Sequence, residues 1–109
     1  MSDETDREKV MAERLASLGA PIRLRIIRTL VRAGDDGVPV GELQRKLGLA
    51  ASTHAHHLAA MVKAGLVLQE RRGREVICTA AFDAVRSVGA YLIEHCCADT
   101  ATENRSEAA

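Results

Sequence analysis

A mainly helical fold, about five helices with one small β-hairpin, is predicted by three features of this chain. Its apolar content is 47% but almost free of aromatic rings, apolar residues recur every three or four positions in five stretches, and two short β-prone runs flank one arginine-rich turn. With one Tyr, one Phe and no Trp, the core falls to Leu, Ile, Val and Ala. At 109 residues there is room for one domain with one modest core, so any partner is met on its surface or across an oligomer interface.

The elements follow in order. Residues 1–6 and 100–109 are small, polar or charged without periodicity and are expected to be disordered, leaving 7–99 as the domain. Met11, Leu15 and Leu18 define a first amphipathic helix from Arg7 to Leu18, stopped by Gly19. Pro21 opens a second helix, to about Ala33, where its missing N–H costs nothing; Ile22, Ile26, Ile27 and Leu30 face inward and Arg25, Arg28 and Arg32 away. After the turn Asp35-Asp36-Gly37, a short third helix covers Val40 to Leu47 and closes at Gly48. A fourth, Ser52 to Ala64, packs Leu58, Met61 and Val62 and turns Ser52, Thr53, His56 and Lys63 the other way. Leu66-Val67-Leu68 and Val76-Ile77-Cys78 flank a basic hairpin tip that uses Gly73. Phe82 to about Cys97 forms a fifth helix whose stripe Phe82, Val85, Gly89, Leu92 and Cys96 suits a partner helix.

Charge is segregated along the chain although the total is zero. From Pro21 to Arg74 there are ten Lys or Arg against four acids, while the two ends carry the compensating negative charge. A basic middle is what phosphate contact requires. No segment approaches the ~20 apolar residues of a membrane span, and the charged start MSDETDREK is unlike a secretory signal, so a cytoplasmic protein is expected. Three cysteines, an odd number, then read as reduced thiols rather than a disulfide framework.

Two helices joined by a glycine turn, the second with an exposed polar face, followed by an arginine-tipped hairpin, have the geometry of a winged helix-turn-helix DNA reader. Ser52, Thr53, His56 and His57 are candidates for base edges and phosphates in the major groove. Arg45, Lys46 and Lys63 would neutralise flanking phosphates, and Arg71, Arg72 and Arg74 would reach the backbone or minor groove.

The segments LASLGAPIRLRIIRTL, GELQRKLGLAASTHAHHLAAMVKAGLV and LQERRGREVICTA together resemble the ArsR/SmtB family of metal- and metalloid-responsive repressors, from Leu15 to Cys97. The resemblance implies a homodimer joined through the first and last helices, an imperfectly palindromic double-stranded operator, and release when an effector binds. The chain has no Cys-x-x-Cys motif and no paired acid, base or nucleophile with a supporting constellation, so neither an enzyme nor a required cofactor is expected, and without an apolar span no membrane role. Two positions depart from the pattern: Ala50 stands where a capping serine is usual, a loss of about 1 kcal/mol, and His54 stands at a normally aliphatic position, expected to be partly buried.

The family's metal sites are not matched. The third helix has no cysteine, and on the fifth Asp83 is present but Val85 replaces the first histidine of the zinc set. What remains is Cys96-Cys97, similar to the ending of an arsenic-responsive subgroup, with Cys78 as the one further thiol. As(III) takes three thiolates, so Cys78 would have to approach the pair across the dimer; a methylated trivalent arsenical needs only two. Neighbouring thiols point ~100° apart on a helix, so chelation requires the last turn to unwind. Three other readings stay open: a redox or persulfide switch, purely structural cysteines, and a thiol enzyme or soft-metal carrier without a DNA role. A protein-interaction module with a basic face is a further alternative.

Overall fold

The computed structural model describes residues 3–94. Its helices are α1 (Asp3–Ser17), α2 (Pro21–Ala33), α3 (Val40–Leu47), α4 (Ala51–Lys63) and α5 (Phe82–Ile93), with strands β1 (Val38–Pro39), β2 (Val67–Arg72) and β3 (Glu75–Ala80). α2 and α3 occupy the residues that periodicity assigns to them. Cys96, Cys97 and the tail 100–109 lie outside the described residues.

α1 begins at Asp3, within the stretch expected to be disordered. Its first turn carries Asp3, Glu4 and Asp6, which complement the positive helix end. The strands of the hairpin are longer than their apolar cores, because the polar residues Gln69 to Arg72 continue the antiparallel ladder as far as the Arg72–Glu75 pair. β1 is an element the sequence does not announce. It pairs Val38 with Cys78 and Pro39 with Ile77, giving a three-stranded antiparallel sheet in the order β1-β3-β2.

Gly37 makes that third strand fit. Its φ is 71°, and a Cβ built there would lie 2.5 Å from the Cys78 carbonyl oxygen and 2.6 Å from Thr79 Cγ2. Only a residue without a side chain brings the chain this close to β3.

The core lies between α2, α3, α4 and the sheet, and is filled by Ile26, Leu30, Leu43, Leu58, Met61, Leu66, Val67 and Cys78. α1 and α5 lie together, tied by the Arg7 guanidinium, which donates to both Glu94 carboxylate oxygens at 2.8 and 3.0 Å and stacks over the Tyr91 ring at 4.8 Å. Arg14 adds a bond to Ser87 Oγ at 3.1 Å. The expected α5 stripe divides. Phe82 and Val85 pack on the chain's own core and Val88 is buried, whereas Gly89, Leu92 (61% exposed) and Ile93 (66%) face outward. No helix among the described residues is long and apolar enough to cross a membrane.

Candidate nucleic-acid interface

The α3–α4 turn is built by Gly48, whose left-handed φ of 66° ends α3 while its N–H donates to the carbonyls of Gln44 and Arg45. Gln44 braces the turn a second time, donating from Nε2 to the Leu49 carbonyl at 3.1 Å. Leu43 below and Leu58 above are both core residues, so the angle between the helices is held by packing as well as by the turn.

α4 has two unlike sides. His54, Leu58 and Met61 are buried, while Ser52, Thr53 and His56 are exposed, as the sequence predicts. Ala50 provides no side-chain cap, so the first turn of α4 has no acceptor from that position. His54 is more deeply enclosed than expected, at 1% exposure, and its Nε2 has no protein partner among the described residues. Burial, with a smaller effect of nearby His57, holds it below the ordinary histidine range and therefore neutral.

His57 is not part of the open side. It is half-buried, its Nδ1 accepts from Arg23 Nε at 3.0 Å, and its ring meets that of His56 edge-on at 5.8 Å. Burial first, then the Arg23 and His56 charges, push its pKa down. Arg23 also donates to the Ser17 carbonyl at 3.4 Å, so this residue pair joins α1, α2 and α4 from within.

The remaining cations fall into two places. Arg45 on α3 and Arg74 at the hairpin tip line one cleft of about 370 Å³ with Glu42 and Glu75, so the wing and the helix-turn-helix present charge side by side. Arg71 is exposed, Arg72 is bound to Glu70 at 2.8 Å, and Lys46 sits 3.7 Å from Glu42. Lys63 is placed elsewhere, at the far end of α4, where it lines a cleft with Glu13, Ser17 and Arg23. Its sequence neighbours put it on the polar side, but 13 residues of helix separate the two ends by roughly 20 Å.

Cys78 is enclosed in the centre of the sheet at 0% exposure, with Gln69 Nε2 donating to its Sγ at 3.5 Å. Burial pushes the thiol pKa up. A thiolate reaching across a dimer would have to leave this core, which corrects the expectation that Cys78 can serve as a third ligand. Among the described residues no three His, Cys, Asp or Glu side chains converge on a metal-sized site, and Asp83 is paired with Arg86 at 3.1 Å.

A helix-turn-helix with an open polar reading helix and an arginine-bearing β-wing defines a class: the DNA-binding winged helix-turn-helix regulators. The comparisons agree. Residues 18–70 match the family model described as a helix-turn-helix domain. The HTH-type transcriptional regulator YgaV of Escherichia coli K12 is 35% identical over 78 residues, covering 72% of this chain and 77% of YgaV. The chain therefore belongs to the helix-turn-helix transcriptional regulators. Its fold is similar to that of the homodimeric winged helix-turn-helix domain of a possible ArsR-family regulator from Mycobacterium bovis, with a TM-score of 0.70, 23% identity and 85% of each chain covered. It is also similar to the transcriptional repressor BigR of Xylella fastidiosa, with a TM-score of 0.63 and 27% identity over 86% of this chain and 97% of that one.

Proposed function

We propose that the chain acts in the cytoplasm as a homodimeric repressor, bound to a palindromic operator and released when a thiol-directed effector engages Cys96 and Cys97. The observation that carries the DNA part is the exposure of Ser52, Thr53 and His56 on α4, in a fold whose α3 and wing bring the exposed Arg45 and Arg74 to one cleft. An α-helix about 10–12 Å across fills a major groove about 12 Å wide, so that side meets base edges while the arginines meet phosphate. Dimerisation is supported by the outward Leu92 and Ile93 at the end of α5, apolar side chains that a second copy covers, and by the homodimeric state of the similar M. bovis domain. Two reading helices related by a twofold axis require half-sites one helical turn, about 34–36 Å, apart or a multiple of it.

With Cys78 enclosed, the effector reading rests on two adjacent thiols. A methylated trivalent arsenical needs no third: each As–S bond forms as a thiol loses its proton and the arsenic loses a hydroxide, released together as water. The sequence predicts the fifth helix to about Cys97, but α5 ends at Ile93 and Glu94 is already extended; chelation at Cys96 and Cys97 would disturb the α1–α5 surface that Glu94 ties to Arg7, and with it the spacing of the reading helices. Gel-shift titration on DNA from the chain's own promoter tests both parts. Preference over random duplex at ~0.15 M salt is expected, with dissociation by methylarsenite in the wild type and not in Cys96→Ser/Cys97→Ser. Equal affinity for random DNA removes the repressor reading. Normal dissociation of the double-serine variant removes the thiol pair.

A further inference from the structure

α2 carries more positive charge than its packing uses. It contains Arg23, Arg25, Arg28 and Arg32 and no acid. Arg23 is engaged internally with His57 and Ser17. The other three are exposed, recur at intervals of three and four, and line one shallow groove along the helix with Leu24 and Thr29. Asp35 and Asp36 follow in the next turn, yet none of the ion pairs among the described residues involves these arginines. Cations three and four residues apart on a helix repel one another, so the arrangement weakens α2 in the free protein and is favourable only against concentrated negative charge.

The stripe is also continuous with the DNA-facing unit. A second groove, lined by Thr29, Arg32, Ala33 and Lys46, shares two residues with the first and leads from α2 onto α3, the leading helix of the helix-turn-helix. From Arg25 to Arg32 the helix rises about 10 Å, so the three arginines present one line of positive charge that long to a neighbouring phosphate backbone.

We propose that the Arg25, Arg28 and Arg32 side of α2 is a second DNA contact, neutralising backbone phosphates that flank the half-site read by α4. Each subunit then engages a longer stretch of duplex than its helix-turn-helix and wing cover. These arginines carry no base information; they lengthen the footprint and steepen the salt dependence. The inference rests on the DNA-binding reading above, and its test separates the two.

The full chain and an Arg25→Gln/Arg28→Gln/Arg32→Gln variant are titrated across salt on two duplexes. One is a long fragment of the chain's own promoter and the other is trimmed to the central half-sites found by hydroxyl-radical footprinting. On the long duplex the slope of log K against log salt is expected to become shallower by about 0.9 for each phosphate no longer neutralised, up to about 5 for the six side chains of a dimer. The flanking protection disappears with it. On the trimmed duplex the two proteins bind alike, and the variant melts no lower than wild type because like-charge repulsion has been removed. Equal slopes and footprints on the long duplex overturn the proposal, as does equal weakening on both duplexes. Binding of poly-glutamate that depends on the three arginines, with DNA binding unchanged, overturns it in favour of an acidic protein partner. If wild type does not prefer promoter DNA at all, the repressor reading fails first; if it does and the slopes agree, only the α2 proposal fails.

Discussion

Replacing His54 by Leu is expected to make the protein more stable and less sensitive to acid. The imidazole is 1% exposed on the packed side of α4, and its Nε2 has no protein partner among the described residues. A buried polar atom left unpaired costs about 1–3 kcal/mol. Exchange for an aliphatic side chain of similar volume returns up to about 1.5 kcal/mol of that through imperfect repacking, so a net gain of about 1 kcal/mol is expected at pH 7.5. For a domain of this size that is roughly 4–8 °C in Tm. The pH dependence follows from the same burial. The folded-state pKa of His54 is depressed from its ordinary 6.5, so the unfolded chain takes up the proton first. Stability is therefore complete above pH 6.5 and falls as the pH drops toward the folded-state value, by at most about 1.4 kcal/mol per pH unit for one histidine. His57, also depressed, adds to the loss in wild type and remains in the variant. Urea unfolding at pH 5.0, 6.0 and 7.5 measures both effects. A His54→Leu protein that is less stable at pH 7.5, or that loses stability with the wild-type slope below pH 6.5, refutes the reasoning.

Three further outcomes are expected. Gly37→Ala forces a side chain to a φ of 71° and against β3; a loss of about 2–4 kcal/mol in denaturant unfolding is expected from strain and overpacking combined. Ala50 has φ −63° and ψ 148°, already the extended geometry of a helix cap, so Ala50→Ser should add about 0.5–1 kcal/mol, read as a higher Tm. In a Cys96→Ser/Cys97→Ser protein the one remaining thiol, Cys78, is buried with a raised pKa. It should react with a thiol reagent no faster than the protein unfolds, and rapid labelling of the native protein would show that the sheet centre is open.

The helices are largely legible because their information is local. Pro21 and Gly34 bracket α2, Gly48 closes α3, and the inward positions of α4 at Leu58 and Met61 follow from a 3.6-residue period that needs no knowledge of what they pack against. The same period places Ser52, Thr53 and His56 on the open side, so the core of the candidate reading surface can be written down from residue order alone. Lys63 obeys that period too, but its distance from the tip depends on helix length and its neighbours on α1, which residue order does not display.

What the tertiary structure decided is everything that joins distant positions. β1 exists only because Gly37 lets Val38 reach Cys78, and two residues carry no periodicity of their own. His57 leaves the reading surface because Arg23, 34 positions earlier, lies where its Nδ1 can accept. Cys78 changes from candidate ligand to sealed core thiol once strands close on both sides of β3. The arginines of α2 are visible in the sequence as charge, yet their continuity with Lys46 appears only when α2 and α3 are packed together. The division has a physical basis: the helical period is set by hydrogen bonds four residues apart, whereas burial, pairing and pKa are set by whichever side chains the folded backbone brings within a few ångströms.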